Sequence, residues 1–440
     1  MVLTLIISLA TVLSMASVVL IKPYIKIKRL NVGLYWLVCL VGALLLLATG
    51  CISFNSVISG ITANTSVNPL KILTLFLSMT LLSVYLGDAG FFDYIADGLF
   101  RRTKGSQLKL FLGLYFIVSV LTVFTSNDVI ILTFTPAICI FAKKANVSAL
   151  PYLVAEFIGA NTWSMALIVG NPTNVYLAQS AGIGFYQYFS VMWLPTLVGG
   201  LAGLLVLLVL FYKQLKTPIS HGYSAHGKGI HSPHGQVKIE KPTMIIALLH
   251  LLACIFILAV SDFIGVEMWL VCLVCAISLS IFDLVYDLIK FKSARPVLKS
   301  LSKEPYELAP FILSMFVIVL ALKENGITDL LNGLLVKGVK TDGVSLGFIS
   351  ALSSNLLNNI PMSVLFEKVV TGNNLAVFGV VVGSNIGAFI TPVGALAGIM
   401  WNKILVRHNI KLPFKQFVLY GVSVAIPTLC STLLTLLLVY

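Results

Sequence analysis

Apolar runs at roughly 2–21, 31–52, 69–87, 107–124, 129–142, 148–169, 190–212, 243–260, 267–289, 307–323, 343–353, 374–390 and 416–438 are separated by short polar or basic segments. A helix needs ~20 apolar residues to cross a hydrocarbon core, so most of these runs predict transmembrane helices. The first run lacks a basic flank before it and a small-residue cleavage site after it. It is expected to be a membrane helix, not a removed signal.

Loop charges orient the runs. Lys22, Lys26, Lys28 and Arg29 follow the first run, and Arg101, Arg102 and Lys104 follow the third. Both clusters belong on the cytoplasmic side under the positive-inside rule, and the nearly uncharged stretch 54–68 belongs outside. Lys109 and the Lys143–Lys144 pair also read as cytoplasmic. The two runs between them must therefore enter and leave on one side, as a re-entrant hairpin with Thr125–Asp128 at its tip. Non-helical backbone is tolerated at that depth where protein or a water-filled cavity surrounds it. Continued along the chain, the pattern predicts about ten crossings, a second hairpin at 343–370 entered from outside, and both termini outside. Of 29 Lys and Arg, only Lys71, Lys323, Lys337, Lys340 and Lys368 then fall outside.

Composition agrees. Of the 440 residues, 58% are hydrophobic and 10% charged. Soluble domains carry ~25% charged residues, which excludes a soluble globule, a disordered chain and a nucleic-acid-binding domain. The net charge of +13 is the loop asymmetry, not a nucleic-acid footprint. The seven cysteines lie in or beside apolar runs, with Cys272 and Cys275 three apart inside one predicted membrane helix, so they read as buried thiols. His221, His226, His231 and His234 sit in a Gly/Ser/Lys-rich stretch without neighbouring Cys or carboxylates. That stretch reads as a connector, and no metal site is expected.

The two halves resemble each other. Leu77-Ser78-Met79 matches Leu313-Ser314-Met315, and Gly90 and Asp93 match Gly326 and Asp329 at the same offset. Ser126-Asn127 matches Ser354-Asn355, and Gly159-Ala160-Asn161 matches Gly383-Ser384-Asn385. Loop charges orient the matching segments oppositely. The expected fold is an all-α polytopic membrane protein with an inverted-topology repeat, two re-entrant hairpins and two broken helices. Such repeats point to secondary transporters with a midplane site.

Polar and helix-breaking residues lie deep in apolar surroundings at Ser126-Asn127-Asp128, at Gly170-Asn171-Pro172-Thr173-Asn174, at Asn355 with Asn358-Asn359-Ile360-Pro361, and at Thr391-Pro392-Val393-Gly394. An unpaired polar group in hydrocarbon costs several kcal/mol, so these groups must face one another, water or a solute. Broken helices expose N–H groups that attract oxyanions and carbonyls that suit Na⁺. Asn offers a donor and an acceptor to a hydroxylated solute. Asp128 is the intramembrane carboxylate best placed for ion coordination or proton carriage, and Glu156 is the next. Asn161 and Asn385 are expected behind the site as supporting side chains.

Ser126-Asn127-Asp128 with Thr135-Pro136, Asn358-Asn359-Ile360-Pro361, and Gly383–Gly387 leading to Thr391-Pro392-Val393-Gly394 resemble the arsenite/antimonite efflux permeases. These belong to the ion transporter superfamily, with divalent-anion/sodium symporters and NhaD-type antiporters. The resemblance runs from about residue 70 to the end. It implies an elevator-type transporter that dimerises through its scaffold. Scaffold helices would occupy 1–106 and 242–342, transport halves 107–213 and 343–440, and a cytoplasmic linker 214–241. Ser126, Asn127, Gly170, Asn171, Thr173 and Asn174 would line one half-site. Asn355, Asn358, Asn359, Thr391, Pro392 and Gly394 would line the other. The implied partner is a small inorganic or organic anion or hydroxylated metalloid, in a cell-membrane bilayer, with no nucleic acid and no cofactor beyond Na⁺ or H⁺ as coupling ion. A sodium/proton antiporter or sodium-coupled carboxylate transporter of the same fold is the alternative. The sequence has no HExxH motif and no paired catalytic carboxylates, and its GxSxG match at Gly343–Gly347 lies in an apolar run and not at a strand-to-helix elbow, so a membrane enzyme is not expected. If oxygen and amide groups hold the solute, a variant with all seven cysteines replaced by Ser or Ala should transport at near wild-type rate in a flux assay.

Overall fold

The structure is a computed structural model. It describes residues 1–440 except 22–23, 28–29, 64–67, 104, 220–240, 303–305, 336–338 and 371. Of the expected connector 214–241, residues 220–240 with all four histidines lie outside the described residues, as do Lys104, Lys303 and Lys337. Among the described residues, seven helices are long and apolar enough to cross a bilayer alone.

The chain opens with α1 (Val2–Ile21), a two-stranded antiparallel hairpin (Tyr24–Ile27 with Leu30–Gly33) and α2 (Leu34–Ala48). The basic loop expected after the first run therefore contains strand pairing. Next come α3 (Phe54–Thr62), α4 (Pro69–Asp88) and α5 (Phe91–Arg102). Asn68 starts α4 by accepting from Leu70 N at 2.8 Å, with Pro69 at the first helical position, where no N–H is needed. Gly90, at φ +88°, turns the chain from α4 into α5, and Gly326, at φ +73°, makes the same turn from α14 (Leu308–Glu324) into α15 (Ile327–Leu335). Both positions need the left-handed conformation that Gly supplies without strain. The second of these pairs bends by 80°.

Hydrogen bonds between element ends sort the molecule into two faces. On the basic face, Tyr35 Oη donates to Glu307 Oε2 at 3.0 Å, and Ser300 Oγ donates to Asp88 Oδ2 at 2.6 Å. On the other, the N-terminal ammonium donates to Asn325 Oδ1, and Asn325 Nδ2 donates to the Cys51 carbonyl. Lys71 and Glu267 pair there at 2.6 Å, joining the starts of α4 and α12 (Met268–Phe291). Lys71, together with the Trp269 indole N–H, holds the Glu267 carboxyl below its ordinary range.

These faces decide the parity of the first hairpin. Its arms are α6 (Gln107–Phe124) and α7 (Asn127–Ala145), followed by α8 (Leu150–Trp163). Gln107 Oε1 accepts from Tyr152 Oη at 2.9 Å, so α6 and α8 start on the same face. The pair α6–α7 therefore enters and returns on one side. Its tip meets α8 near that helix's far end, where Asn127 Nδ2 donates to Asn161 Oδ1 at 3.1 Å. A 14-residue helix rises ~21 Å, so this contact lies inside the bilayer thickness. In the second half, Asp342 near the start of α16 (Val339–Leu357) accepts from Asn373, which caps α18 (Asn374–Gly387). The pair α16 and α17 (Asn359–Val369) is thus a hairpin as well.

Each hairpin leads into a broken helix and then a long one. The first is α8, a short 3-10 turn at Ile168–Gly170 and α9 (Pro172–Ser180), followed by α10 (Phe185–Leu215). The second is α18, an irregular stretch 388–395 and α19 (Leu396–Arg407), followed by α20 (Phe414–Val439). α10 continues slightly past the expected domain boundary, and Ile219 N then bonds the Gly105 carbonyl. Between α10 and α12, α11 (Lys241–Ile264) crosses, and a short α13 (Arg295–Leu301) follows α12.

Small residues bring α16 and α18 into backbone contact. Gly379, Gly383 and Gly387 on α18 face Gly343, Gly347 and Ala351 on α16. Side-chain-free crossings of this kind gain dispersion and Cα–H···O contacts where no hydrophobic driving force separates helices from lipid. A Cβ at Gly383 would overlap the Gly347 carbonyl and Ser350 Oγ. Gly383→Ala should destabilise the protein by about 1–3 kcal/mol, the usual cost of overpacking. Gly98→Ala, where a Cβ meets nothing within 4 Å, should not. Thermal unfolding of both variants in detergent checks this.

Candidate functional site

The breaks in α8–α9 and α18–α19 meet at the centre of the molecule, and side-chain amides join them. Asn385, fully buried in the last turn of α18, donates from Nδ2 to Asn174 Oδ1 at 2.7 Å and to the Val381 carbonyl at 2.8 Å. Its Oδ1 accepts from Ser164 Oγ and Asn171 Nδ2, both at 2.9 Å. Thr173 Oγ1 lies 3.2 Å from Ser384 Oγ. Asn174 Nδ2 also donates to the Ser164 carbonyl at 2.8 Å, taking up one of the acceptors that the end of α8 leaves open. Asn171 caps α9 by accepting from Thr173 N at 3.2 Å, with Pro172 at the first helical position. Gly170 packs on Ser164, and any Cβ there would strike the Ser164 carbonyl.

The first tip starts α7. Ser126 Oγ accepts from Val129 N at 3.4 Å, and Asn127 Oδ1 accepts from Asp128 N at 3.0 Å. Asn161 passes the contact on to the Phe157 carbonyl at 2.8 Å. Asp128 is buried, and its carboxylate accepts no hydrogen bond from the described residues.

The second tip is built differently. Asn355 Oδ1 accepts from Thr391 N at 2.9 Å and Thr391 Oγ1 at 2.7 Å, while its Nδ2 donates to the Ala351 and Gly387 carbonyls. Asn358, in the left-handed region at φ +71°, donates to the Val393 carbonyl at 3.0 Å and caps α17. Asn359 N bonds the Gly394 carbonyl at 2.9 Å. Its Oδ1 is buried and has no partner. Pro392 precedes these carbonyls, and a Cβ at Gly394 would stand 2.9 Å from Asn355 Oδ1.

Glu156 is fully buried and joins three helices. Its Oε1 accepts from Thr135 Oγ1 on α7 at 2.8 Å, and its Oε2 accepts from Trp401 Nε1 on α19 at 3.2 Å. Thr135 and Trp401 had no sequence signal beyond a family-like Thr-Pro pair and a family-like tail from Leu396 to Trp401. Their role depends on the approach of α19 to α7.

The predicted residues thus fall into two groups. Asn171, Asn174, Asn385, Asn355 and Asn358 spend their amides on holding the breaks and tips. Asp128 and Asn359 Oδ1 retain unused capacity. Asp128 at the first tip and Asn359 at the second each leave an acceptor open, a chemistry that suits a polyhydroxylated solute or a small cation, and none of these site residues is basic.

The citrate transporter family (CitMHS) matches residues 31–378. The arsenical pump membrane protein of Escherichia coli (strain K12) is 26% identical over 377 residues, covering 82% of this chain and 84% of its own length. The putative arsenical pump membrane protein of Bacillus subtilis (strain 168) is 26% identical over 371 residues, covering 78% and 81%. The crystal structure of the YdaH transporter from Alcanivorax borkumensis superposes with a TM-score of 0.58 at 14% identity, over 99% of this chain and 97% of that one. At that identity the likeness shows the fold alone. The motif resemblance and the matched relatives agree, and the chain is a multi-pass membrane transporter, not an enzyme, that belongs to the citrate transporter family.

Proposed function

We propose that this protein moves a small hydroxylated metalloid, arsenite or antimonite, or a similarly small oxyanion, across the cell membrane as an ion-coupled secondary transporter. The observation that carries the reading is the pairing of unspent polar groups, Asp128 and Asn359 Oδ1, with a buried amide network, in a chain related over most of its length to arsenical pump membrane proteins. A neutral trihydroxide offers three donors and three acceptors. It suits a site of amides, hydroxyls and helix N-termini that has no Arg or Lys to fix a full carboxylate charge.

In this reading the two hairpins, the two broken helices and α10 and α20 form a transport unit, 107–213 with 343–440. The segments 1–106 and 242–342 form a scaffold that dimerises. The matched motifs, the hairpins entered from opposite faces and the paired breaks support an inverted-topology repeat with an elevator motion. The bonds from Asn385 to Asn171 and Asn174 support it too, because they tie the halves into one body. Ser126, Asn127, Gly170, Thr173, Thr391, Pro392 and Gly394 shape the walls of the site. Asp128 carries the coupling Na⁺ or H⁺.

Asn359→Ala should leave thermal stability near wild type and weaken solute binding about fivefold, the loss of one hydrogen bond of ~1 kcal/mol. Asn385→Ala strands Ser164, Asn171 and Asn174 and should instead lower stability by about 3 kcal/mol or more. Ligand-shifted melting curves of the two purified variants separate binding from folding. In proteoliposomes, arsenite flux should respond to an imposed Na⁺ or H⁺ gradient, and Asp128→Asn should abolish that response while the fold persists. Flux that ignores both gradients in wild type would overturn the coupling. Gradient-driven H⁺/Na⁺ exchange with no metalloid flux would favour the antiporter reading.

A further inference from the structure

Outside the site, three thiols and a thioether meet where α4, α11 and α12 pack. Cys254 Sγ on α11 lies 3.9 Å from Cys272 Sγ on α12 and 3.8 Å from Met79 Sδ on α4. Cys254 and Cys272 are fully buried and Met79 nearly so. Cys275, one turn further along α12, is a second neighbour of Cys254 and is half-buried. Two thiols on different helices, in sulfur–sulfur contact, can be bridged by a single atom with only small side-chain adjustment.

The surroundings select the ligand. The described residues contain no group of three or more His, Cys, Asp or Glu side chains arranged to hold a metal ion. Zn²⁺ requires about four His, Cys or carboxylate ligands, and the described residues bring at most three thiols together here. A monovalent soft cation held by two thiolates would leave a net negative charge in a low-dielectric interior, at a cost of several kcal/mol. A trivalent group-15 hydroxide avoids both objections. With M as arsenic or antimony, M(OH)₃ and two thiols give (RS)₂M–OH and two waters. Two M–S bonds form, two M–O bonds break, and each thiol proton leaves with a hydroxide. No oxidant is required, and the product is neutral. A groove of about 380 Å³ runs alongside, lined by Ser78 and Ala276, the chain neighbours of Met79 and Cys275.

We propose that Cys254 and Cys272, packed on Met79, form a dithiol site for a trivalent arsenical or antimonial that staples α11 to α12, apart from the transport path. The proposal rests on thiol geometry and stands independently of the proposed cargo. The purified full chain, treated with phenylarsine oxide, should gain one arsenical by intact-mass measurement. Peptide mapping should place it on Cys254 and Cys272, and excess arsenite should compete for it. The adduct should raise the melting temperature, as binding to the native state does. It should be lost in Cys254→Ser and in Cys272→Ser, and retained in Cys39→Ser. Arsenite flux in proteoliposomes should be the same for Cys254→Ser and wild type. No adduct on the folded wild-type protein, or an adduct mapped to other cysteines, would overturn the site whether or not the variants fold. Loss of flux together with the adduct, in a variant that melts like wild type, would overturn its separation from the transport path.

Discussion

A helix that stops inside a bilayer leaves N–H and C=O groups with no water to satisfy them, and this protein stops two helices there. The deficit is met from side chains. Ser164, Asn171, Asn174 and Asn385 bond one another across the two breaks, and Asn174 and Asn358 reach back to main-chain carbonyls. Everything nearby follows from this arrangement. The breaks must lie side by side to share partners, so α8–α9 and α18–α19 cross at the centre. The hairpin tips must approach those breaks, so their Asn residues face inward.

The same requirement separates structural amides from those free for chemistry. An Asn that donates to two acceptors and accepts from two donors has no capacity left for a solute. Asn385 and Asn355 are in that state, which makes them supports. Asp128 and Asn359 are not. A polar cluster in a membrane therefore cannot be read as a binding site residue by residue until its internal bonds have been counted.

Close backbone approach is the second organising feature. The glycines of α16 and α18 let a hairpin arm lie directly on a broken helix, fixing the second tip against the 388–395 stretch. In the first half, larger side chains do equivalent work. Tyr115 Oη donates to the Gly200 carbonyl at 2.6 Å, and Trp163 Nε1 donates to Tyr115 Oη at 3.3 Å, holding α6, α8 and α10 together. The halves share an order of elements without sharing the contacts that stabilise them. Fold similarity at 14% identity shows the same tolerance across proteins, and fold alone leaves the solute open.

The membrane class, the helix order and both hairpins were legible in the sequence because each follows from local quantities. Apolar run length sets a crossing, Lys and Arg set a side, and parity between Lys109 and Lys143 demands a return. The polar tips and breaks were legible too, since Asn, Pro and Gly in hydrocarbon need a reason. What each Asn does was not. Asn385 and Asn359 look alike in sequence, yet one is saturated and the other is not, because their partners lie up to 221 residues away. The bond from Trp401 to Glu156, the approach of α16 to α18 and the meeting of Cys254 with Cys272 likewise depend on which helices pack together. The sequence by itself determined where the chain crosses, turns and breaks, through burial and charge acting locally. Only the tertiary structure decided which polar groups satisfy one another and which remain available, because hydrogen bonding is a pairwise property of atoms that only folding brings together.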